Sequence, residues 1–230
     1  MLHRCCKQGE LGEIYFAKAH AVRRRAVPTW GVFTNKALQG GGPLIDIGTH
    51  SLDLAMWMMD NYSPVSVTGS VFYRLGRLPQ AVGGNMFGPW DPETYEMEDS
   101  AFALIKFANG ASIQLEAAWA INMRDSREAS VTLCGTNAGA ELLSGMSYPE
   151  NRVIFNRGRG GMLTNETICS AACLGNGAEE DPGAVEVRQW IDAILYDTEP
   201  LVRPEEAFTV TRVLDAVYQS SETGREIRLD

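Results

Sequence analysis

The sequence predicts an α+β fold: a large, mostly antiparallel sheet with helices packed on one face. Three observations carry that expectation. One strand pattern and one buried helix pattern precede a run of strands joined by short turns, and two helical patterns close the chain. No βαβ repeat occurs, which excludes a TIM barrel and a doubly wound sheet. The chain has 230 residues, of which 45% are hydrophobic and 21% charged, so it can bury a core without disulfide or metal staples. It contains no internal repeat and no low-complexity tract. The expected organisation is a stub of a preceding helix at residues 1–9, then one domain at residues 10–230.

The elements follow in order. Leu2 to Gln8 reads as two helical turns with Gly9 after their end, too short to be stable alone and therefore the tail of something longer. Glu13 to Arg24 reads as a strand, with Lys18, His20, Val22 and Arg24 on one face and Ala17, Ala19, Ala21 and Arg23 on the other. Gly40, Gly41 and Gly42 make a flexible turn, and Pro43 suits a first helical position. Leu44 to Met59 is helical in length and composition. Asp46, His50, Asp53 and Trp57 share one of its faces, and the rest is almost wholly apolar.

Val65 to Leu75 reads as a strand. Gly76 to Met97 is a long loop rich in Gly, Pro and aromatic residues, of the kind that usually carries function or a partner contact. Ser100–Phe107 and Ala111–Trp119 flank Asn109-Gly110, the signal for a hairpin on a type I′ turn. Ala129 to Leu143 gives strand, turn and strand. Arg152 to Phe155 is a short strand, and Arg157 to Gly161 a loop. Gly183–Tyr196 and Pro204–Thr223 carry helical periodicity, the second with Glu205 and Glu206 in its first turn and Gly224 after its end. Arg225 to Leu229 returns as an edge strand.

Charge narrows the partners. The formal net charge is −9 and the isoelectric point about 4.9, so nucleic acid is not an expected partner and an anionic membrane surface would repel the chain. No stretch approaches 18 apolar residues, and MLHRCCKQGE has no signal-peptide apolar region; a cytoplasmic protein is expected. The five cysteines include no CxxC pair and their number is odd, which reads as buried reduced thiols.

Several motifs bear on chemistry. GxGxxG and GxxxxGK[ST] are absent. Gly40–Gly42 precede a helix, so their amides could meet an anion, although a plain tight turn explains them more simply. Asp46 and His50 lie one helical turn apart. A carboxylate there can hold an imidazole tautomer and support proton transfer near neutral pH. On spacing alone the plainer reading takes precedence: a first-turn carboxylate and a satisfied core histidine. Asp46, His50 and Asp53 offer metal-ligand atoms, but HExxH is missing and no metal is expected. Asp91, Glu93, Glu96, Glu98 and Asp99 read as a solvated acidic loop leading into a strand, with Asp99 able to fix the strand's start through backbone amides. Arg24, on the His20 face, and Trp30 would suit a sugar or polyol through hydrogen bonds and ring stacking; a structural ion pair is the competing role for the arginine.

A family resemblance adds what spacing cannot. GGGPLIDIGTHSLDLAMWMM (Gly40 to Met59) resembles the GGG-x-L-x-D-x-G-x-H-x-x-D-x-x-x-W signature of Gfo/Idh/MocA oxidoreductases, which are NAD(P)-dependent enzymes acting mostly on sugars and cyclitols. GELGEIYFAKA, EDSAFALIKFANGASIQLEAAW, CGTNAGAEL and PEEAFTVTRVLDAVYQSSETGREIRL resemble other parts of that family's second domain. The resemblance implies that His50 is general base or acid on the reacting hydroxyl and that Asp46 orients it. Thr49, beside His50, joins Arg24 and Trp30 as a candidate substrate contact, and Gly41 and Gly42 as candidate cofactor contacts. NAD or NADP is the cofactor of the full-length family. Its dinucleotide fingerprint and its EKP lysine have no counterpart here, so the expectation is a C-terminal substrate-side domain, truncated, binding no cofactor and inactive alone. The alternative is a non-catalytic sugar-binding or assembly module. Family members commonly pack the open sheet face against another subunit, which implies a homodimer or larger assembly through strands bearing Phe102, Leu104, Ile113 and Leu115.

Overall fold

The computed structural model describes residues 1–148, 151–169 and 181–229. Nine strands form one sheet: β1 (Ile14–Val22), β2 (Pro64–Phe72), β3 (Ser100–Phe107), β4 (Ser112–Ala118), β5 (Arg127–Gly135), β6 (Ala138–Leu143), β7 (Arg152–Arg159), β8 (Met162–Cys169) and β9 (Ile227–Arg228). Their order is β8-β7-β6-β5-β1-β4-β3-β2-β9. Only β1 and β4 run parallel among the described pairs; the rest are antiparallel. The α+β architecture expected from the sequence is present.

Period-2 alternation sorts the sheet into two faces. Ala17, Ala19 and Ala21 of β1 and Ile113, Leu115 and Ala117 of β4 are fully buried beneath the helices. The short alanine side chains let α3 (Thr49–Met59) lie close to the strands; a Cβ on Gly48, just before it, would stand 3.0 Å from the Ala117 Cβ. α5 (Pro204–Thr223) covers β2 on the same face, where a Cβ on Gly69 would stand 2.8 Å from Val217. α1 (Leu2–Lys7) packs on α3 through His3, whose ring stacks on Trp57 at 3.7 Å. α2 (Lys36–Gln39) is one short turn, and α4 (Pro182–Leu195) leaves Val187, Trp190, Ile191, Ile194 and Leu195 exposed.

Alternation divides the four residues expected on the open face. Ile113 and Leu115 sit in the core at 0% exposure, whereas Leu104 is 40% exposed on the opposite face. Phe102 shares that open face with Leu104 and meets Phe72 edge-on at 6.0 Å.

Several local readings are corrected. β1 stops at Val22, so Arg24 lies beyond the strand whose alternation was to orient it. Asn109-Gly110 is not a two-residue type I′ turn: of the pair only Gly110 has positive φ (88°), and its amide returns to the Phe107 carbonyl at 3.0 Å. A hairpin replaces the loop expected at Arg157–Gly161. β7 runs through Arg159, and Gly160 and Gly161 turn it into β8 at φ 59° and 79°. Cys5, Cys6 and Cys134 are free thiols but half-buried rather than buried; Cys173 lies outside the described residues. Burial pushes the Cys6 thiol up to about 11, which suppresses its thiolate at neutral pH. Among the described residues, no helix is long and apolar enough to cross a membrane.

Candidate functional site

The candidate site begins where the chain enters α3. Leu44–Gly48 is a π-helical turn, and α3 follows from Thr49. Such wide turns often occur at functional positions. This one disturbs the regular spacing from which a shared face for Asp46, His50, Asp53 and Trp57 was read. Asp53 Oδ1 accepts from the Tyr62 hydroxyl at 2.9 Å, and Trp57 stacks on His3. Asp46 is half-buried, and its Oδ2 accepts the indole N–H of Trp119 at 2.9 Å. His50 is exposed, which removes the satisfied core histidine as an account of it, and no hydrogen bond ties it to Asp46 among the described residues. Asp46, His50 and Asp53 are therefore not gathered as ligands around one point.

Trp119 is fully buried and ends the β3–β4 hairpin. A chain of rings leads outward from it. Trp119 meets Phe33 at 6.1 Å, Phe33 meets Trp30 at 5.5 Å, and Trp30 meets Phe87 at 4.9 Å. Trp30 is 53% exposed, so it offers a ring surface two contacts away from the Asp46 partner. Asn85 holds this wall together: its Oδ1 accepts from the Val27 amide at 2.8 Å, and its Nδ2 donates to the Val27 and Gly88 carbonyls. The long loop thus carries a small core of its own, with Trp90, Tyr95 and Met97 packed beneath Trp119.

The arginine run separates by role. Arg23 pairs with Glu128, and Arg25 donates to the carbonyls of Ala81, Arg24 and Ile121. Arg24 is exposed and in no ion pair among the described residues; its amide donates to Ser126 Oγ at 3.1 Å. No described hydrogen bond brings it to Asp46 or His50. Thr49 is half-buried at the first position of α3.

Glu98 and Asp99 are not solvated: they are 2% and 1% exposed. Asp99 Oδ2 accepts from the amides of Arg74, Leu75 and Gly76, as its position before a strand suggests. Glu98 Oε1 accepts from the Gly42 amide at 2.7 Å and from the Tyr218 hydroxyl at 2.7 Å. Burial holds the Glu98 carboxyl above the usual carboxylate range, opposed by these donors. Tyr218 and Trp119 were not singled out by the sequence, and Glu98 was named there only as part of a solvated acidic loop. Two acids directly before an alternating apolar strand were the available signal, because a carboxylate carried into a core must find donors.

This arrangement also explains the glycines. A Cβ on Gly42 would fall 2.6 Å from the Glu98 carbonyl oxygen, and one on Gly41 would strike the Tyr218 hydroxyl. The Gly42 amide is already committed to a carboxylate of the chain itself. Gly42 is therefore not a free amide donor of the kind an anion-binding loop offers.

Comparison with known proteins places the chain. Residues 4–229 match the family described as "Oxidoreductase family, C-terminal alpha/beta domain", of the Gfo/Idh/MocA group. The chain is 37% identical over 221 residues to the D-glucoside 3-dehydrogenase of Escherichia coli strain K12, covering 96% of this chain and 58% of that protein. Among solved structures, the fold resembles aldose-aldose oxidoreductase from Caulobacter crescentus complexed with glycerol, with TM-score 0.74 and 20% identity, over 99% of this chain and 59% of that one. It also resembles levoglucosan dehydrogenase in complex with NADH and levoglucosan, with TM-score 0.75 and 17% identity, over 99% of this chain and 61% of that one. The chain spans about three fifths of each. It belongs to the Gfo/Idh/MocA oxidoreductase family, matching that family's C-terminal alpha/beta domain.

Proposed function

We propose that this chain is the substrate-side domain of an NAD(P)-dependent sugar oxidoreductase, with D-glucosides as its sugar class. The observation that carries the reading is the placement of Asp46. It is fixed by the buried Trp119 indole at the start of the helix whose next turn presents His50 to solvent. The likeness to a D-glucoside 3-dehydrogenase supports the sugar class.

In this reading His50 exchanges a proton with the reacting sugar hydroxyl, and its exposure lets it exchange that proton onward with water. Asp46 Oδ2 accepts from the Trp119 indole, and its Oδ1 remains for a substrate hydroxyl or for His50. Trp30 supplies a stacking surface for the C–H face of the ring, with Arg24 and Thr49 as polar contacts. The nicotinamide supplies hydride exchange when it is present. The Gly42 amide is taken by Glu98, which supports a reading in which a separate unit presents the cofactor and the chain alone is inactive. Copies meet through the open sheet face around Phe102 and Leu104. Free half-buried thiols fit a reducing, cytoplasmic setting.

Calorimetric titration of the purified chain with methyl glucosides tests this. Saturable binding that weakens in Asp46→Asn and His50→Gln is expected, with no NAD(P)H turnover. Turnover by the chain alone would overturn the inactivity, and binding indifferent to both substitutions would favour a non-catalytic sugar-binding module.

A further inference from the structure

We propose that Glu98 is the positioning residue of this site, acting with Tyr218 to set where Asp46 stands. The inference rests on reading Asp46 and His50 as the reacting end. Two routes lead from the Glu98–Asp99 dipeptide to Asp46. The first is through the main chain. Tyr218 Oη donates to Glu98 Oε1 at 2.7 Å, and the Gly42 amide donates to the same oxygen at 2.7 Å. The Gly42 carbonyl then accepts the Asp46 amide at 3.0 Å. The second route is through the tryptophan. The Asp99 carbonyl accepts the Trp119 amide at 3.1 Å, and the Trp119 indole donates to Asp46 Oδ2 at 2.9 Å. Asp46 is thus held by its backbone from one side and by its carboxylate from the other.

Sequence and packing agree with this role. Glycine is required at 41 and 42 because any Cβ there would displace Tyr218 or Glu98. The clamp is dry, with Glu98 2% exposed and its carbonyl accepting the Tyr95 hydroxyl at 3.2 Å. A buried carboxylate that has found its donors is costly to remove one partner at a time, which makes the geometry rigid. Tyr218 lies on α5, so the closing helix is tied to the opening of α3 through one oxygen atom.

The chain has five tryptophans, so its nitrogen-15 spectrum gives one indole signal for each. In the wild-type chain the Trp119 indole proton, bonded to a carboxylate, should resonate downfield. Glu98→Ala should move that signal and the Gly42 amide upfield while the indole of exposed Trp190 stays in place. Glu98→Gln, which keeps an acceptor oxygen, should restore both. Support for stability alone would lower the melting temperature and leave the folded-state Trp119 signal where it was. A folded Glu98→Ala chain with both signals at wild-type positions overturns the proposal. If that variant does not fold, Tyr218→Phe decides: a moved Gly42 amide and Trp119 indole support the clamp, and unmoved ones overturn it. Glucoside titration is read separately, so absent sugar binding with moved indole signals would reject the site reading and keep the clamp.

Discussion

Gly42→Ala is the substitution on which the packing argument is most exposed. The added methyl would sit 2.6 Å from the Glu98 carbonyl oxygen and 2.9 Å from its carboxyl carbon. Glu98 is 2% exposed and cannot swing into solvent. Overpacking at such a site costs about 1–3 kcal/mol. If Glu98 withdraws, the buried Gly42 amide also loses its acceptor, adding about 1–3 kcal/mol. A chain of this size loses about 2–4 °C of melting temperature per kcal/mol, so with both costs the fall should be roughly 4–24 °C. Thermal melts followed by circular dichroism would measure it, with urea titration to confirm that the midpoint shifts at constant slope. Gly83→Ala is the control, because nothing lies within 4 Å of its Cβ position; its stability should stay within about 0.5 kcal/mol of wild type. A Gly42→Ala chain that melts with wild type would refute the reasoning.

Three further outcomes are expected. Glu116 lies 3.5 Å from His20 Nδ1 and accepts from Gln114, and the histidine holds its carboxyl below the usual range. A lowered folded-state value stabilises above the unfolded value and is lost as pH falls through the folded one. Glu116→Gln should therefore melt below wild type at neutral pH, with the gap closing below about pH 4; a gap independent of pH would contradict this. Trp30→Ala should weaken glucoside binding in calorimetric titration without lowering the melting temperature, since the ring is 53% exposed; unchanged affinity would remove it from the site. Leu104→Glu should dissociate an assembly formed through the open face, read by light scattering, and an unchanged mass would place the contact elsewhere.

Much of this was legible because periodicity and burial coincide. Ala17, Ala19 and Ala21 alternate with Phe16, Lys18 and His20 in the sequence, and the sheet faces follow them. α5 was bounded by its own end signals, with Gly224 left-handed at φ 66°. Of the β7–β8 hairpin only the first half of β7 was legible, because Asn156 and Gly158 have low strand propensity and an exposed strand needs no apolar alternation. At the site, Asp46 and His50 were visible as candidates only through the family resemblance, while spacing alone favoured plainer roles. The Trp119 contact was not visible, because it closes across 73 positions of sequence and depends on the hairpin meeting the π-turn. Glu98 and Asp99 looked solvated by composition. Only the fold supplies the amides and the Tyr218 hydroxyl that let them be buried.

The most direct test of the account follows the three histidine rings of the purified chain by nuclear magnetic resonance during a titration with a methyl D-glucoside. The account predicts that the His50 ring signals shift together with the Trp119 and Trp30 indoles, in one saturable process, while those of His3 and His20 do not move. Saturable binding that perturbs His3 or His20 and leaves His50 unmoved, or no binding to a folded chain, would contradict it.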